Sequence, residues 1–541
     1  MTSHKTMVEQ ILLNGEFRTQ DPELPVAQAV AIGGGWILAV GDNKTIQRLA
    51  GSDTKTSDLG GRLALPGMWD AHFHYYDWAI GLKNPALAGL RSLGEMTGQV
   101  AEAVRKTPAG DWILGQGWNE TDWPENRYPT RKDLDAVAPC HPVALWRCDL
   151  HLASVNSRAL ELAEITKDTP NPPEGIIVRD ADGQPNGILR ELAMNLVRDV
   201  IPAPDDDEVF NAMRDGIPIL HSLGLTSVSD IRLMGGMEGA AAFRGWQRLR
   251  ESRMLGLRTW VSLPGERLDE IIALGLRTGL GDGYLRVGHV KFFADGGMGA
   301  RTAWMVVPYL DADCGMPLVS MTDLADAVRR ADQAGLGVMI HAIGDRANRE
   351  LISLFERVEK ERTGSGPTIP HRIEHVQMIR PEDIRRLAQL DVIACVQPHN
   401  MILDISMIDE CVGPKGKWAY AYRDLLDAGI PMLFSSDSPV CSPSPLAGIH
   451  AAVTRQREDG TPSGGWYPEQ RISVDEAVAG YTITPARAYG VEIELGSITP
   501  GKRADMVILD RNIYTTDPAD ILNTQVDTTF FDGQIVYQRQ L

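Results

Sequence analysis

His72 and His74 flank Phe73 at the end of the run Leu65-Pro66-Gly67-Met68-Trp69-Asp70-Ala71. On a strand, residues two apart share a face. Both imidazoles then point one way and Phe73 the other. Neutral imidazole is the commonest protein ligand for zinc and similar ions, so the pair makes half of a metal site. Such a pair alone is a weak signal. It gains weight because four further apolar runs carry a titratable side chain at or near their ends. These are Lys291 in Val290-Lys291-Phe292-Phe293, His341 after Val338-Met339-Ile340, His375 in Arg372-Ile373-Glu374-His375, and Asp437 after Leu433-Phe434-Ser435-Ser436. Singly, His341 or His375 fits a hydrogen-bonded core histidine. Lys291 alone fits a snorkelling edge residue, and Asp437 alone a turn residue. Taken together, the six read as ligands of one metal centre.

The elements that would position them are equally regular. Eight apolar runs, at 63–70, 225–230, 258–263, 287–294, 337–341, 372–376, 392–397 and 432–436, alternate with helical stretches such as 324–334 and 381–390. That is the βα pattern and strand number of a (β/α)8 TIM barrel, whose chemistry sits at the strands' C-terminal ends. The 75–224 gap is too long for one βα crossover, so an inserted subdomain is expected at about 80–220. It carries Trp112, Trp118, Trp123 and Trp146. Segments 1–62 and 491–541 read as short strands punctuated by Asn-Gly and Gly-Gly turns, leaving 63–490 for the barrel and its insert.

Composition narrows the function. At 541 residues the chain exceeds a single core. A formal charge of −19 leaves no basic field for nucleic acid or an anionic membrane. No apolar run reaches the roughly 18 residues of a membrane helix, and residues 1–17 lack the pattern of a secretory signal. A cytoplasmic protein is expected. The six cysteines form no C-x-x-C pair, so neither a zinc knuckle nor a redox motif is indicated.

LPGMWDAHFH at 65–74, VKFFADGGMGARTA at 290–303, IHAIGDRANRE at 340–350, HRIEHVQMI at 371–379, SSDSPV at 435–440 and GSITPGKRADMVILD at 496–510 together resemble the amidohydrolase superfamily, in its amidohydrolase-3 or YtcJ-like branch. The resemblance implies that the two terminal β segments pair into a small sandwich and that the insert walls one side of the active-site mouth. A lysine among cation-binding imidazoles is unusual, because burial and positive neighbours lower its pKa. A neutral amine can take up carbon dioxide as a carbamate, and the resemblance implies that the Lys291 carbamate bridges two metals. His72, His74, Lys291 and Asp437 would surround one ion, and Lys291, His341 and His375 the other; a one-metal site is the alternative. Zn²⁺ suits these donors, with Co²⁺, Mn²⁺ or Ni²⁺ as alternatives.

Metal binding brings the pKa of water from about 15.7 to about 7, and Asp437 would act as general base and then acid. The expected reaction is hydrolysis of the C–N bond of an N-acyl, N-formyl or cyclic amide. A deaminase or an esterase/lactonase is the alternative on this scaffold. A catalytically silent binding protein would be expected to lack a ligand, and all six are present. His151, Arg301, Trp118 and His399 are the candidate substrate contacts. Trp78, Trp118 and Trp123 lean toward an aromatic or apolar substituent. Leu150 stands where the family pattern Asp-Gly-His has glycine, so a different backbone is expected before His151. Glu374 should face away from His375 and serve a structural role. A homodimer is expected.

Overall fold

The computed structural model describes residues 7–121, 123–234, 238–362, 364 and 366–540. Eight parallel strands form one sheet in chain order: β1 (Met68–Phe73), β2 (Leu225–Asp230), β3 (Arg258–Pro264), β4 (Leu285–Phe293), β5 (Val338–Ala342), β6 (His371–His375), β7 (Val392–Val396) and β8 (Met432–Phe434). Most of their residues are buried. Helices therefore cover the outside while side chains fill the inside, as near-continuous apolar runs require. The sheet closes through a parallel bridge between Phe73 and Ser438. Asp70 reinforces the seam, accepting from Ser436 N–H at 3.1 Å and Ser436 Oγ at 2.5 Å.

The first expected strand, 63–70, is two strands. Leu63–Pro66 joins the terminal sheet, pairing antiparallel with Met506–Leu509, and only Met68–Phe73 enters the barrel. Gly67 is the changeover. Its N–H donates to Asp505 at 2.8 Å, whereas that of Met68 donates to Gly224 at 3.1 Å. A Cβ at Gly67 would lie 2.3 Å from Thr226 Oγ1 on β2, so only glycine lets the chain pass this close. The six-stranded terminal sheet draws on both ends of the chain, and a four-stranded sheet of N-terminal strands packs against it. Phe17, Ile32, Ile37, Met506, Ile508 and Phe530 form the core between them.

The insert is smaller than expected. Helix Asp206–Ser222 packs on helices Tyr75–Gly81 and Gly239–Glu251 of the barrel and is the first crossover helix. What remains holds a five-stranded sheet, ordered Gly175–Arg179, Pro185–Glu191, Leu152–Val155, Val143–Arg147, Ile113–Trp118. Helix Leu93–Lys106 packs against it, N-capped by Ser92 Oγ accepting from Glu95 N–H at 3.1 Å. Among the described residues, no helix is long and apolar enough to cross a membrane.

Candidate metal centre

Strand β1 delivers His72 at its end and His74 just beyond. The turn after β8 folds back on them. Asp437 N–H donates to His72 O at 2.9 Å, and His74 N–H donates to Ser438 O at 2.8 Å. This pins the Asp437 carboxylate, with Oδ1 3.3 Å from His72 Nε2 and 3.1 Å from His74 Nε2. Oδ2 lies 3.9 Å from His375 Nδ1. Donor atoms of His72, His375 and Asp437 all fall within 4.8 Å of one another, a spacing that can hold a cation. His341 stands beside them, its ring 4.5 Å from that of His375. Lys291, almost fully buried, lines the same cleft.

The imidazoles are oriented from behind. His72 Nδ1 bonds Glu374, His74 Nδ1 donates to Ile231 O at 3.0 Å, and His375 Nδ1 donates to Gln397 Oε1 at 2.9 Å. Each bond places the proton on Nδ1 and leaves the lone pair of Nε2 free, the arrangement that a metal-ligating histidine needs. His72 Nε2 and Asp437 Oδ1 are buried with no hydrogen-bond partner among the described residues. Buried polar atoms are rarely left so, and a cation between them would satisfy both. Glu374, Cys395 and His72 form a second close group. It is a poor metal site, because burial holds the Cys395 thiol protonated and Glu374 is already bonded to Arg372 and His72.

Electrostatics agree with a ligand role. Burial, with neighbouring Lys291, pushes His72 down to about 4. Burial also pushes His375 down to about 3 and His341 well below the ordinary value. All three are neutral at pH 7. Burial lowers Lys291 to about 8, against the pull of Glu374 and Asp437.

The backbone is strained at this site. His375 and Val376 have φ of 73° and 45°, and Asp437 has φ of 58°. These are left-handed conformations that non-glycine residues seldom adopt.

Residues 55–537 match the amidohydrolase family. The chain belongs to that family. Along 98% of its length it is 31% identical to protein LONG AFTER FAR-RED 3 of Arabidopsis thaliana, covering 92% of that protein. It is 28% identical to the N-substituted formamide deformylase of Arthrobacter pascens over 98% of this chain and 99% of that one. A metal-dependent hydrolase of Pyrococcus horikoshii superimposes with a TM-score of 0.75 at 27% identity, covering 94% of this chain and 99% of that one. This amidohydrolase is thus a metal-dependent hydrolase of carbon–nitrogen bonds other than peptide bonds.

The cleft above the centre, together with the solvent at its mouth, holds about 960 Å³ of empty space. Barrel loops and the insert wall it. His151 lines it, with Nδ1 2.7 Å from Glu191 Oε2. Burial disfavours the imidazolium, yet Glu191 overrides this and raises His151 to about 9. Thr302, from the loop after β4, donates to the other Glu191 oxygen and ties the insert to the barrel. Gly297 is needed here, since a Cβ would lie 2.8 Å from the His151 ring. The backbone before His151 does not depart from a glycine's. Leu150 adopts φ 59°, the conformation glycine would take, and lines the cleft.

The other expected substrate contacts lie elsewhere. Trp118 is fully buried in the insert's core, its indole N–H donating to Leu145 O at 3.0 Å. Trp123 and Trp78 are likewise core residues. Arg301 does not line the cleft. It grips Asp311 through Nε at 3.0 Å and Nη2 at 2.9 Å, and donates to Met298 O at 3.2 Å, bracing the glycine-rich loop. His399 also lies off the lining. Helix Pro398–Val412 begins one residue before it, so helical spacing replaces strand alternation and turns Asn400, Leu403, Asp404 and Met407 to the cleft instead.

Glu191 and Gln397 were not singled out in the sequence, and Glu374, expected to be structural and to face away, instead bonds His72. Glu374 lies two residues after Arg372, on the interior face, and Gln397 directly follows β7. Both were visible as polar residues in otherwise apolar strand ends.

Proposed function

We propose that this amidohydrolase carries two zinc-type ions and removes a formyl or other small acyl group from an N-substituted amide. The observation that carries the reading is the buried His–His–His–Asp set opening onto a cleft walled by Leu192, Met194, Phe293, Met298, Met407 and Val440. A reactive carbonyl would sit at the set and an apolar substituent against that wall. The name of the Arthrobacter relative agrees with such a substrate. His72, His74, Lys291 and Asp437 would hold one ion, and Lys291, His341 and His375 the other. A carbamate on Lys291 would bridge them, formed when neutral Nζ bonds the carbon of CO₂ and loses a proton. Its lowered pKa favours that neutral amine.

Bound divalent metal supplies a water that ionises near neutral pH and a Lewis acid for the carbonyl. Asp437 takes the proton from the attacking water. It returns that proton to the amide nitrogen as the C–N bond breaks. His151, held cationic by Glu191, donates from Nε2 to the developing oxyanion. The cytoplasmic, homodimeric setting expected from the sequence is part of this proposal.

Zinc-loaded protein should be offered N-alkylformamides, N-alkylacetamides, aminoheterocycles and alkyl esters, with amine, ammonia and acid release followed. Amine release fastest from the formamides is expected. Ammonia release or ester cleavage with the amides untouched would contradict the reading.

A further inference from the structure

The charges lining the cleft leave one side chain over. Asp149 pairs with Arg147 at 2.7 Å and Glu191 with His151 at 2.7 Å. Asp404 accepts from Tyr420 Oη at 2.6 Å and Gln377 Nε2 at 2.9 Å. Asp437 faces the imidazoles. Lys291 and the histidines belong to the centre. Arg198 is the remaining cation of the lining. It ends the short helix Asn195–Arg198 of the insert, and among the described residues its side chain makes no hydrogen bond or ion pair. The contrast with the chain's buried arginines is sharp. Arg147, Arg232, Arg258 and Arg372 each hold a carboxylate, and Arg455 holds two carbonyls.

Arg198 is not loose. Its guanidinium lies over the Trp146 ring, 5.3 Å from the centroid, a contact that fixes the planar fork. It also lines a second cavity that shares Leu150 and Leu233 with the cleft. Asp77 and Glu238 line that cavity too and act on the Arg198 charge through space, but neither reaches ion-pair distance, so its donors are not taken up by them. A guanidinium keeps its charge and offers paired donors matched to a carboxylate. Held at the junction of two cavities, it keeps donors that a further carboxylate could take up.

We infer that Arg198 binds a carboxylate carried by the substrate at the end remote from the scissile amide. This rests on the amide-hydrolase reading above and narrows it. The preferred substrates are amides whose N-substituent is an apolar chain ending in a carboxylate. The chain would lie on the apolar wall, and the carboxylate would reach Arg198. Arg198 is a specificity-determining residue and takes no part in bond cleavage.

The test compares kcat/KM for formamidobutanoate, formamidohexanoate and formamidooctanoate with the N-alkylformamides of equal chain length, on zinc-loaded enzyme. At least one carboxylate should beat its neutral partner by about tenfold or more, the scale of one charge-assisted contact. In Arg198→Met that ratio should fall to near one, chiefly through KM, and Arg198→Lys should recover part of it. Because the readout is a ratio on one enzyme sample, a folding defect cannot mimic it. Neutral substrates preferred at every length, or a ratio unmoved in Arg198→Met, would overturn the inference while leaving the hydrolase reading intact. Cleavage of none of these compounds would overturn that reading, and this inference with it.

Discussion

At the scale of single residues, the account turns on what stands behind each ligand. Glu374 holds His72 through Nδ1 and is itself clamped by Arg372 at 2.7 Å. Glu374→Gln keeps the size and removes the charge that orients the ring. Zinc affinity should fall about 10–100-fold, read by competition with a chromophoric chelator. Unchanged affinity would show that the bond to His72 is incidental. Asp437→Asn should lower kcat about 100- to 10,000-fold on whichever amide the enzyme accepts, compared at equal metal content. A variant retaining most of its kcat would remove Asp437 from proton transfer.

The proposed ligands were legible because each sits at or near a strand end, where periodicity and residue type agree. The role of Glu374 was not. Strand alternation would put Glu374 and His375 on opposite faces, yet both reach His72: Glu374 bonds its Nδ1, and the His375 ring lies 5.2 Å from its ring. Glu374 points into the barrel and meets His72, while His375, still paired with Ala342 at the end of the ladder, takes a left-handed φ of 73° that turns its ring to the same site. A period-two rule cannot anticipate which interior neighbour a buried carboxylate will meet across the barrel.

At the scale of elements, the insert supplies His151 and Arg198 and is held together by small local devices. One is the helix Arg131–Asp135, capped by Thr130 with Asp133 reaching back to the Thr130 N–H at 2.8 Å. Arg127 donates to the same carboxylate at 2.7 Å. The Arg127 hydrogen bond first, and the cap bonds after it, lower Asp133 to about 2. An unfolded aspartate titrates near about 3.9. The folded value is depressed, so the stabilisation is complete above about pH 4 and disappears as the pH falls toward about 2. Asp133→Asn should therefore cost about 1 kcal/mol near neutral pH, a figure for a lost cap that already discounts the part-exposed ion pair. The difference in melting temperature between wild type and variant should close at about pH 2. A constant difference would show that the charge is not what matters.

The insert was visible in the sequence as a gap too long for one crossover. Its boundary was not, because helix Asp206–Ser222 has the same amphipathic pattern whether it packs on the barrel or on an inserted sheet. The aromatic residues misled for a similar reason. Tryptophan beside a site and tryptophan in a core are the same residue type, and Trp118 serves the core.

At the scale of the molecule, the terminal sheets and the barrel are locked by buried charge. Arg258 on β3 donates to Asp505 through Nε at 2.6 Å and Nη2 at 3.0 Å, and to Asp532 at 2.6 Å. Removing one member of such a group leaves the others uncompensated in the interior. Arg258→Ala should cost about 3–5 kcal/mol, seen as a lower denaturant midpoint together with faster hydrogen exchange in Met506–Leu509 and Val526–Phe531. An unmoved midpoint would mean that the terminal sheets are held by apolar packing alone. Barrel and terminal β segments were both readable from strand count and turn residues. The missed point was the changeover at Gly67, since one apolar run, Leu63-Ala64-Leu65-Pro66-Gly67-Met68-Trp69, serves two sheets in succession.

The central claim is a two-metal centre bridged through Lys291, and metal content tests it most directly. Wild type and Lys291→Ala, both reconstituted with zinc and bicarbonate, would be measured by plasma mass spectrometry alongside circular dichroism to confirm folding. The account predicts close to two zinc ions per wild-type chain and a sharp fall in a folded Lys291→Ala. One ion per chain, unaffected by the lysine substitution, would contradict it.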